Sequence, residues 1–126
     1  MRNIIISFLI FILMMVGIFF SLNYLNDVSL EILSLSQSIE EHIVDDNWDL
    51  AYKGSIELLD RWSEGSKVIS LFTNDSDIHG INDEIVKLTQ FIKMKTKDEA
   101  LVTIHLVKYF MNHITDMQYM NSENIF

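Results

Sequence analysis

The sequence contains no cysteine, no proline and only four glycines among its 126 residues. Without cysteine there is no disulfide bond, no thiolate zinc site, no thiol chemistry and no attachment point for a lipoprotein-type anchor. Because proline is the strongest breaker of helices, its absence favours long, uninterrupted helices. Positive charge is also scarce. Nine basic and 18 acidic residues give a net charge of −9, which argues against nucleic acid or anionic lipid headgroups as partners.

Apolar residues are abundant, and their longest run lies near the N-terminus. Residues 4–22 carry no charge, and a helix of that length rises about 28 Å, close to the thickness of the hydrocarbon core of a bilayer. A cleaved signal peptide is the alternative interpretation. The run is long for a signal peptide, and Asn23 stands where a small residue would have to pair with Ser21 for cleavage. The sequence therefore predicts an uncleaved anchor over residues 1–23 and a separate domain over residues 24–126.

The charges that flank the apolar run predict its orientation. Arg2 precedes the run, whereas the first charged residues after it are Asp27 and Glu31. By the positive-inside rule, the N-terminus is expected in the cytosol and the rest of the chain outside the cell membrane, after a single span. The residues after position 26 carry 18 acidic and eight basic side chains, a net charge of −10. Such a domain would be repelled from an anionic bilayer rather than lie along it.

Downstream of the anchor, apolar residues recur every three or four positions, as on the buried face of a bundle helix. No turn signal separates Leu22 from Leu25, so the membrane helix is expected to continue into the first bundle helix. Four such series are present: Leu25, Val28, Ile32, Leu35 and Ile39; Trp48, Ala51, Ser55, Leu58, Trp62, Ile69 and Phe72; Ile78, Ile81, Ile85, Leu88 and Ile92; and Ala100, Ile104, Val107, Met111 and Ile114.

Short polar segments separate these series. Asp45-Asp46-Asn47 is suited to cap the second helix, residues 73–76 form a polar turn, and Thr96 with Glu99 has the spacing of a capping box. Gly65-Ser66 weakens the second helix and would allow a bend. Because short connections place consecutive helices side by side, the prediction is an all-α protein. In it, one transmembrane helix continues into an antiparallel up-down bundle of three to four helices.

The two tryptophans are predicted to belong to the core of this bundle. Trp48 and Trp62 are separated by nearly four helical turns, so they project from almost the same face of the second helix. Smaller residues lie between them on that face, which lets another helix approach closely at the centre. A tryptophan hot spot on the surface is the alternative interpretation.

Four segments of the chain carry a family resemblance: the N-terminal anchor, the stretch from Trp48-Asp49-Leu50-Ala51 through Leu58, Leu59 and Trp62, the hairpin from Phe91-Ile92-Lys93 to Lys97-Asp98-Glu99-Ala100, and the ending Asn124-Ile125-Phe126. In these segments the chain resembles an uncharacterised family of short bacterial proteins, the domain of unknown function 4363 family of clostridium-like spore formers. The resemblance spans nearly the whole chain and implies an anchored helical protein. It implies no activity, cofactor or site residue.

Two acidic segments invite a metal interpretation. Residues 75–80 have acids at the first and third positions and glycine at the sixth, as the start of a calcium loop does. The glutamate that binds the ion at the last position of such a loop is replaced here by Val86. A helix-capping turn around Asp77 is therefore preferred. The second segment straddles the first turn and contains Glu40, Glu41, His42, Asp45, Asp46 and Asp49. It would supply oxygen ligands and one imidazole, but solvated helix ends are the favoured interpretation.

Catalysis finds little support in the sequence. His105, Tyr109 and His113 are spaced by four residues, yet no glutamate follows the first histidine as in zinc proteases. They are expected to be two partly buried imidazoles beside a tyrosine. The methionines Met94, Met111, Met117 and Met120 are expected near helix seams as core filler. No catalytic, cofactor-binding or metal site is predicted, and the protein is not expected to be an enzyme.

Two functions remain open. The first is a non-catalytic binding or adaptor module outside the cytosol, which an anchor holds at the membrane and which docks a protein partner or a wall-associated ligand. The second is a small structural subunit of a membrane complex, with the transmembrane helix as the contact. Gly17 and Ser21 form one pair of small residues at the spacing that allows close helix approach in a bilayer, which fits the second function.

Overall fold

The protein is a bundle of four helices. A computed structural model describes the backbone of residues 1–71 and 75–125 and the side chains of residues 1–71 and 76–114. The helices are α1 (Arg2–Val44), α2 (Trp48–Ile69), α3 (Asp75–Lys93) and α4 (Lys97–Ile125), and these described residues contain no strand. Consecutive helices pack side by side, and α4 closes the ring against α1. The predicted all-α, up-down bundle is confirmed, with four helices.

Helix α1 has two parts that face different surroundings. It is a single helix of 43 residues. The side chains of residues 1–20 are exposed, and Leu25 is the first side chain of the helix that is completely buried. Its N-terminal part is long and apolar enough to cross a membrane, and none of that window is buried inside the protein. The predicted continuation of the apolar segment into the first bundle helix is therefore confirmed.

The core consists of the residues that the helical periodicity singled out. All five predicted positions of α4, from Ala100 to Ile114, are buried, as are Leu25 and Trp62 in the first two helices. Leu35 and Ile78 are only partly buried at the edge of this core. The prediction for Phe72 lies outside the described residues. Three serines complete the seams of α1 and α2, at positions 29, 36 and 55.

Both described turns end their helices in the same way. At the end of α1, the Asp46 N–H donates to the Ile43 carbonyl and the Asn47 N–H to the His42 carbonyl. The turn after α3 repeats this pattern, and its central residue is Lys95. Asp46 and Lys95 have φ angles of 58° and 56°, the left-handed conformation of a Schellman motif. The chain therefore reverses within three residues at each turn, which makes the helices of each hairpin antiparallel.

Two glycines let α1 and α2 approach closely. A Cβ atom on Gly65 would lie 2.5 Å from Cγ1 of Val28, and one on Gly54 would lie 2.9 Å from Cγ1 of Ile39. Helix α2 continues through Gly65-Ser66 as one helix. The glycine at position 65 therefore serves the packing of α1 on α2, which its position in the sequence alone did not reveal.

We expect Gly65→Ala to destabilise the bundle even though alanine is the better helix former. Alanine improves helix propensity by about 1 kcal/mol, but the new methyl group collides with Val28, whose branched side chain has little freedom to move. Overpacking of this kind costs about 1–3 kcal/mol. The free energy of unfolding, measured by urea titration of the protein in detergent, should fall by about 1 kcal/mol.

Gly80→Ala is the matched control for this variant. Gly80 is also inside a helix, but a Cβ atom there meets nothing within 4 Å. The free energy of unfolding should therefore rise by about 1 kcal/mol, through helix propensity alone. If both substitutions changed the free energy of unfolding in the same direction, this result would contradict the close-packing role of Gly65.

The Trp62 side chain is the largest in the core and only 1% exposed. Replacing it with alanine should lower the free energy of unfolding by about 3–5 kcal/mol, which corresponds to about 15 °C or more in the melting temperature of a small domain. Trp48→Ala should cost less, because Trp48 is only partly buried against the core. Thermal unfolding followed by circular dichroism tests both variants. An unchanged melting temperature for Trp62→Ala would show that the indole is not part of the packing.

Candidate binding surface

The acidic residues of the first turn are divided among separate contacts between helices. Glu40 lies between α1 and α4, where Lys108 Nζ donates to Glu40 Oε2 and, at 2.6 Å, to Gln37 Oε1. His105 Nε2 lies 3.2 Å from Glu40 Oε1. The side chains of Glu40 and Lys108 are each only 19% exposed, so their ion pair is screened less by water than a surface pair. This cluster fastens α4 to α1.

A second contact joins the turn after α1 to the start of α4. Lys97 Nζ, in the first turn of α4, donates to the Val44 carbonyl and to Asp46 Oδ1, each at 3.1 Å. One ammonium group thus binds a free carbonyl at the end of α1 and a carboxylate of the same turn. Among the side chains that the structure describes, no group of three histidine, aspartate or glutamate residues is placed to hold a metal ion. Two members of the acidic run, Glu40 and Asp46, therefore make contacts between helices.

The segment over residues 75–80 is helical. Helix α3 begins at Asp75, so this segment forms its first turns. A calcium loop must curve around the ion and present successive side chains and a carbonyl to it, which a continuous helix does not do. The backbone at Asp77 therefore has the wrong conformation for the ion site that the spacing suggested.

The expected partial burial of the two histidines on α4 is wrong. His105 and His113 are exposed, and Tyr109 between them is 66% exposed. The reason is the position of the buried seam. Because Ile104 and Val107 face the core, residues 105, 109 and 113 face outward on the same helix.

The methionines that were expected near helix seams also differ in burial. Met111 is completely buried in the core of the bundle, as expected. Met94 is 65% exposed in the turn between α3 and α4, so the expectation of a seam position is wrong for this residue. Met117 and Met120 lie outside the described side chains.

Helix α4 carries a second apolar face, on the side away from the core. Val102, Leu106 and Tyr109 are 60%, 39% and 66% exposed. Their spacing of four and three residues places them in one row, here called the α4 stripe. The Tyr109 ring contacts Phe110 edge to face, with ring centroids 6.0 Å apart. Contact with Phe110 holds the tyrosine ring in place at the end of the row.

The α4 stripe borders a shallow groove between α3 and α4. Phe91, Val102, Thr103 and Leu106 line this α3–α4 groove, together with the charged residues Glu84, Lys87, Asp98 and Glu99. Lys87 Nζ lies 3.4 Å from Glu84 Oε1, so these two charges compensate each other. Asp98 and Glu99 leave the rim negative. The groove therefore has an apolar floor and an acidic edge.

Sequence reasoning missed this surface, although a signal for it was present. The residues of the α4 stripe repeat at helical spacing between the residues of the buried seam, so α4 is apolar on two faces. A helix with one apolar face needs one neighbour to cover it, whereas the second face of α4 stays open to solvent.

Comparison with known proteins identifies the family to which the chain belongs. The model of the family described as Domain of unknown function (DUF4363) matches residues 19–125. Searches of curated proteins and of solved structures found no match. The matched residues begin within the apolar part of α1 and extend through all four helices, so the match covers far more than half of the chain. The protein therefore belongs to the DUF4363 family of helical proteins.

Proposed function

We propose that the protein is a non-catalytic binding or adaptor module that a single N-terminal span anchors in the cell membrane, with the bundle outside the cytosol. The apolar part of α1 supports the anchor, because it extends beyond the bundle with its side chains exposed. An unburied row of large apolar side chains is costly in water and is typical of a segment that lies in lipid. Arg2 before the span and Asp27 after it support the orientation.

The observation that carries the binding function is the α4 stripe with its groove. Soluble surfaces rarely expose several large apolar side chains in one row unless a partner covers them. The acidic rim at Asp98 and Glu99 and the net charge of −10 after residue 26 favour a partner with basic residues. The partner that fits best is a protein segment with an apolar face and basic flanks. Tyr109 is the best-placed anchor for it, because tyrosine is enriched at binding hot spots.

The alternative role, a structural subunit that makes contact through its span, rests on Gly17 and Ser21. A Cβ atom on Gly17 would meet nothing within 4 Å, so no part of the bundle uses this small residue. Close approach by a helix of another protein would use it. The two roles therefore place the partner at different positions along the chain, one on α4 and one in the span.

The first expected result concerns the anchor and its orientation. Carbonate extraction should leave the full-length protein in the membrane pellet, because hydrophobic burial of the span does not depend on charge. Protease added to spheroplasts should digest the bundle. Release into the carbonate supernatant would contradict the anchor, and protection from the protease would contradict the orientation.

The second expected result concerns the α4 stripe. A photo-crosslinking amino acid at position 102 should yield a discrete adduct in the cells that make the protein. The same amino acid at position 30 should yield none, although Leu30 is 54% exposed on α1. Leu106→Asp should abolish the adduct from position 102, because loss of a central apolar contact costs about 2 kcal/mol or more, roughly a thirtyfold change in affinity.

Leu30→Asp serves as the matched control and should leave that adduct intact. Neither substitution touches the core, so both variants should keep the melting temperature of the unmodified protein. Adducts that form from position 17 and not from position 102 would favour the structural-subunit role. In that case Leu106→Asp would have no effect on assembly.

A further inference from the structure

The contacts between α1 and α2 define the register of the two helices, that is, which of their residues lie at the same height along the axis of the bundle. Gly54 lies beside Ile39, and Gly65 lies beside Val28. Because the helices are antiparallel, this register continues toward the end of α2 and places Ile69 level with residue 24 and Leu71 level with Leu22. A shallow surface depression supports the register, since Val68 lines it together with Phe20 and Tyr24.

Leu22 is also the last residue of the apolar run before the polar Asn23, so it marks the upper edge of the hydrocarbon core. The headgroup layer above that edge is about 5–8 Å thick, which corresponds to about four or five residues of a helix along the bilayer normal. Residues 22–26 of α1 therefore lie in this layer. The register places the last turn of α2 and Leu71 in the same layer.

The side chains at this end of the bundle suit a membrane interface. Leu71 is 75% exposed, among the most exposed large apolar side chains outside the span. Tyr24 is 43% exposed on the adjoining turn of α1, and tyrosine is enriched at the headgroup level of membrane proteins. Lys67, the basic residue in the last turn of α2, is exposed and long enough to reach phosphates above Leu71.

We propose that the end of the bundle formed by Leu71, Val68 and Tyr24 contacts the lipid interface, so that the bundle stands upright on the bilayer with α2 resting on it. This inference depends on the membrane anchor of the proposed function. The partner is the lipid interface itself, since the continuous helix α1 holds these residues at its level. The two described turns, at Asp46 and Lys95, point away from the membrane.

The acidic charge of the chain does not oppose this contact. The net charge of −10 after residue 26 belongs to the whole bundle, whereas Leu71, Val68 and Tyr24 are uncharged. Repulsion of the remaining surface keeps the bundle from lying down on an anionic membrane and favours contact by one end. The contact is therefore apolar and does not require anionic lipid.

The absence of native cysteine makes a direct test simple, because one introduced cysteine is then the only thiol. The full-length protein carries an environment-sensitive fluorophore at Leu71→Cys and is reconstituted into phosphatidylcholine vesicles. Quenching is measured in two separate series, with lipids that carry a nitroxide near the headgroup and with lipids that carry it deep in the acyl chain. Ile12→Cys in the span is the positive control. Leu50→Cys is the matched negative control, because Leu50 is an exposed leucine near the start of α2, about 30 Å farther from the membrane than Leu71.

The expected result is loss of fluorescence by quenching at positions 12 and 71 but not at position 50. For position 71, a nitroxide near the headgroup should quench more than one deep in the acyl chain, and the reverse should hold for position 12. Quenching at position 12 without quenching at position 71 would overturn this inference and leave the anchor intact. No quenching at position 12 would overturn the anchor as well. Quenching at all three positions would show a bundle that lies along the bilayer.

Discussion

The rest of the structure depends on helix α1, which is one continuous helix although its two parts have different surroundings. Helix α1 is exposed and apolar through its first 20 residues, and its remainder forms one wall of the bundle. A continuous helix transmits direction, so the axis of the bundle follows the axis of the apolar segment. The heights of α2 and α4 are then set by their register against α1. With the proposed membrane anchor, the position of the bundle relative to the bilayer is therefore a consequence of helix geometry.

The bundle consists of two antiparallel hairpins, α1–α2 and α3–α4, and polar contacts join them along α1 and α4. Lys108 binds Glu40, and Lys97 joins the turn at Asp46 to the start of α4. Both contacts connect residues far apart in the sequence. The apolar seams drive association of the helices but are similar to one another, so they specify alignment poorly. The partly buried ion pair at Glu40 accepts only one alignment of α4 on α1, because a shifted alignment would leave a charge unpaired.

Helix α4 contributes one face to the core of the bundle and exposes a second apolar face to solvent. Its seam from Ala100 to Ile114 is buried, whereas Val102, Leu106 and Tyr109 are open to solvent on another face. A change on the outer face does not alter the core, so the proposed binding and the stability can be varied separately. In the proposed binding role, the acidic rim of the α3–α4 groove adds selectivity, because it favours basic partners and disfavours acidic ones, including a second copy of this acidic chain.

The sequence by itself determined the helices, their approximate ends and the residues of the core. These follow from local spacing: the series from Leu25 to Ile39 and from Ala100 to Ile114 repeat at three and four residues, and nearly all of their members are buried. The DUF4363 resemblance likewise rested on local motifs and was confirmed. Tertiary structure alone decided the role of Gly65, the pairing of Glu40 with Lys108, the exposure of His105 and His113, and the height of Leu71. Each of these depends on how one helix is rotated and shifted against another. Local periodicity shows that a helix has an inner face, but only packing against the neighbouring helices determines where its other residues lie.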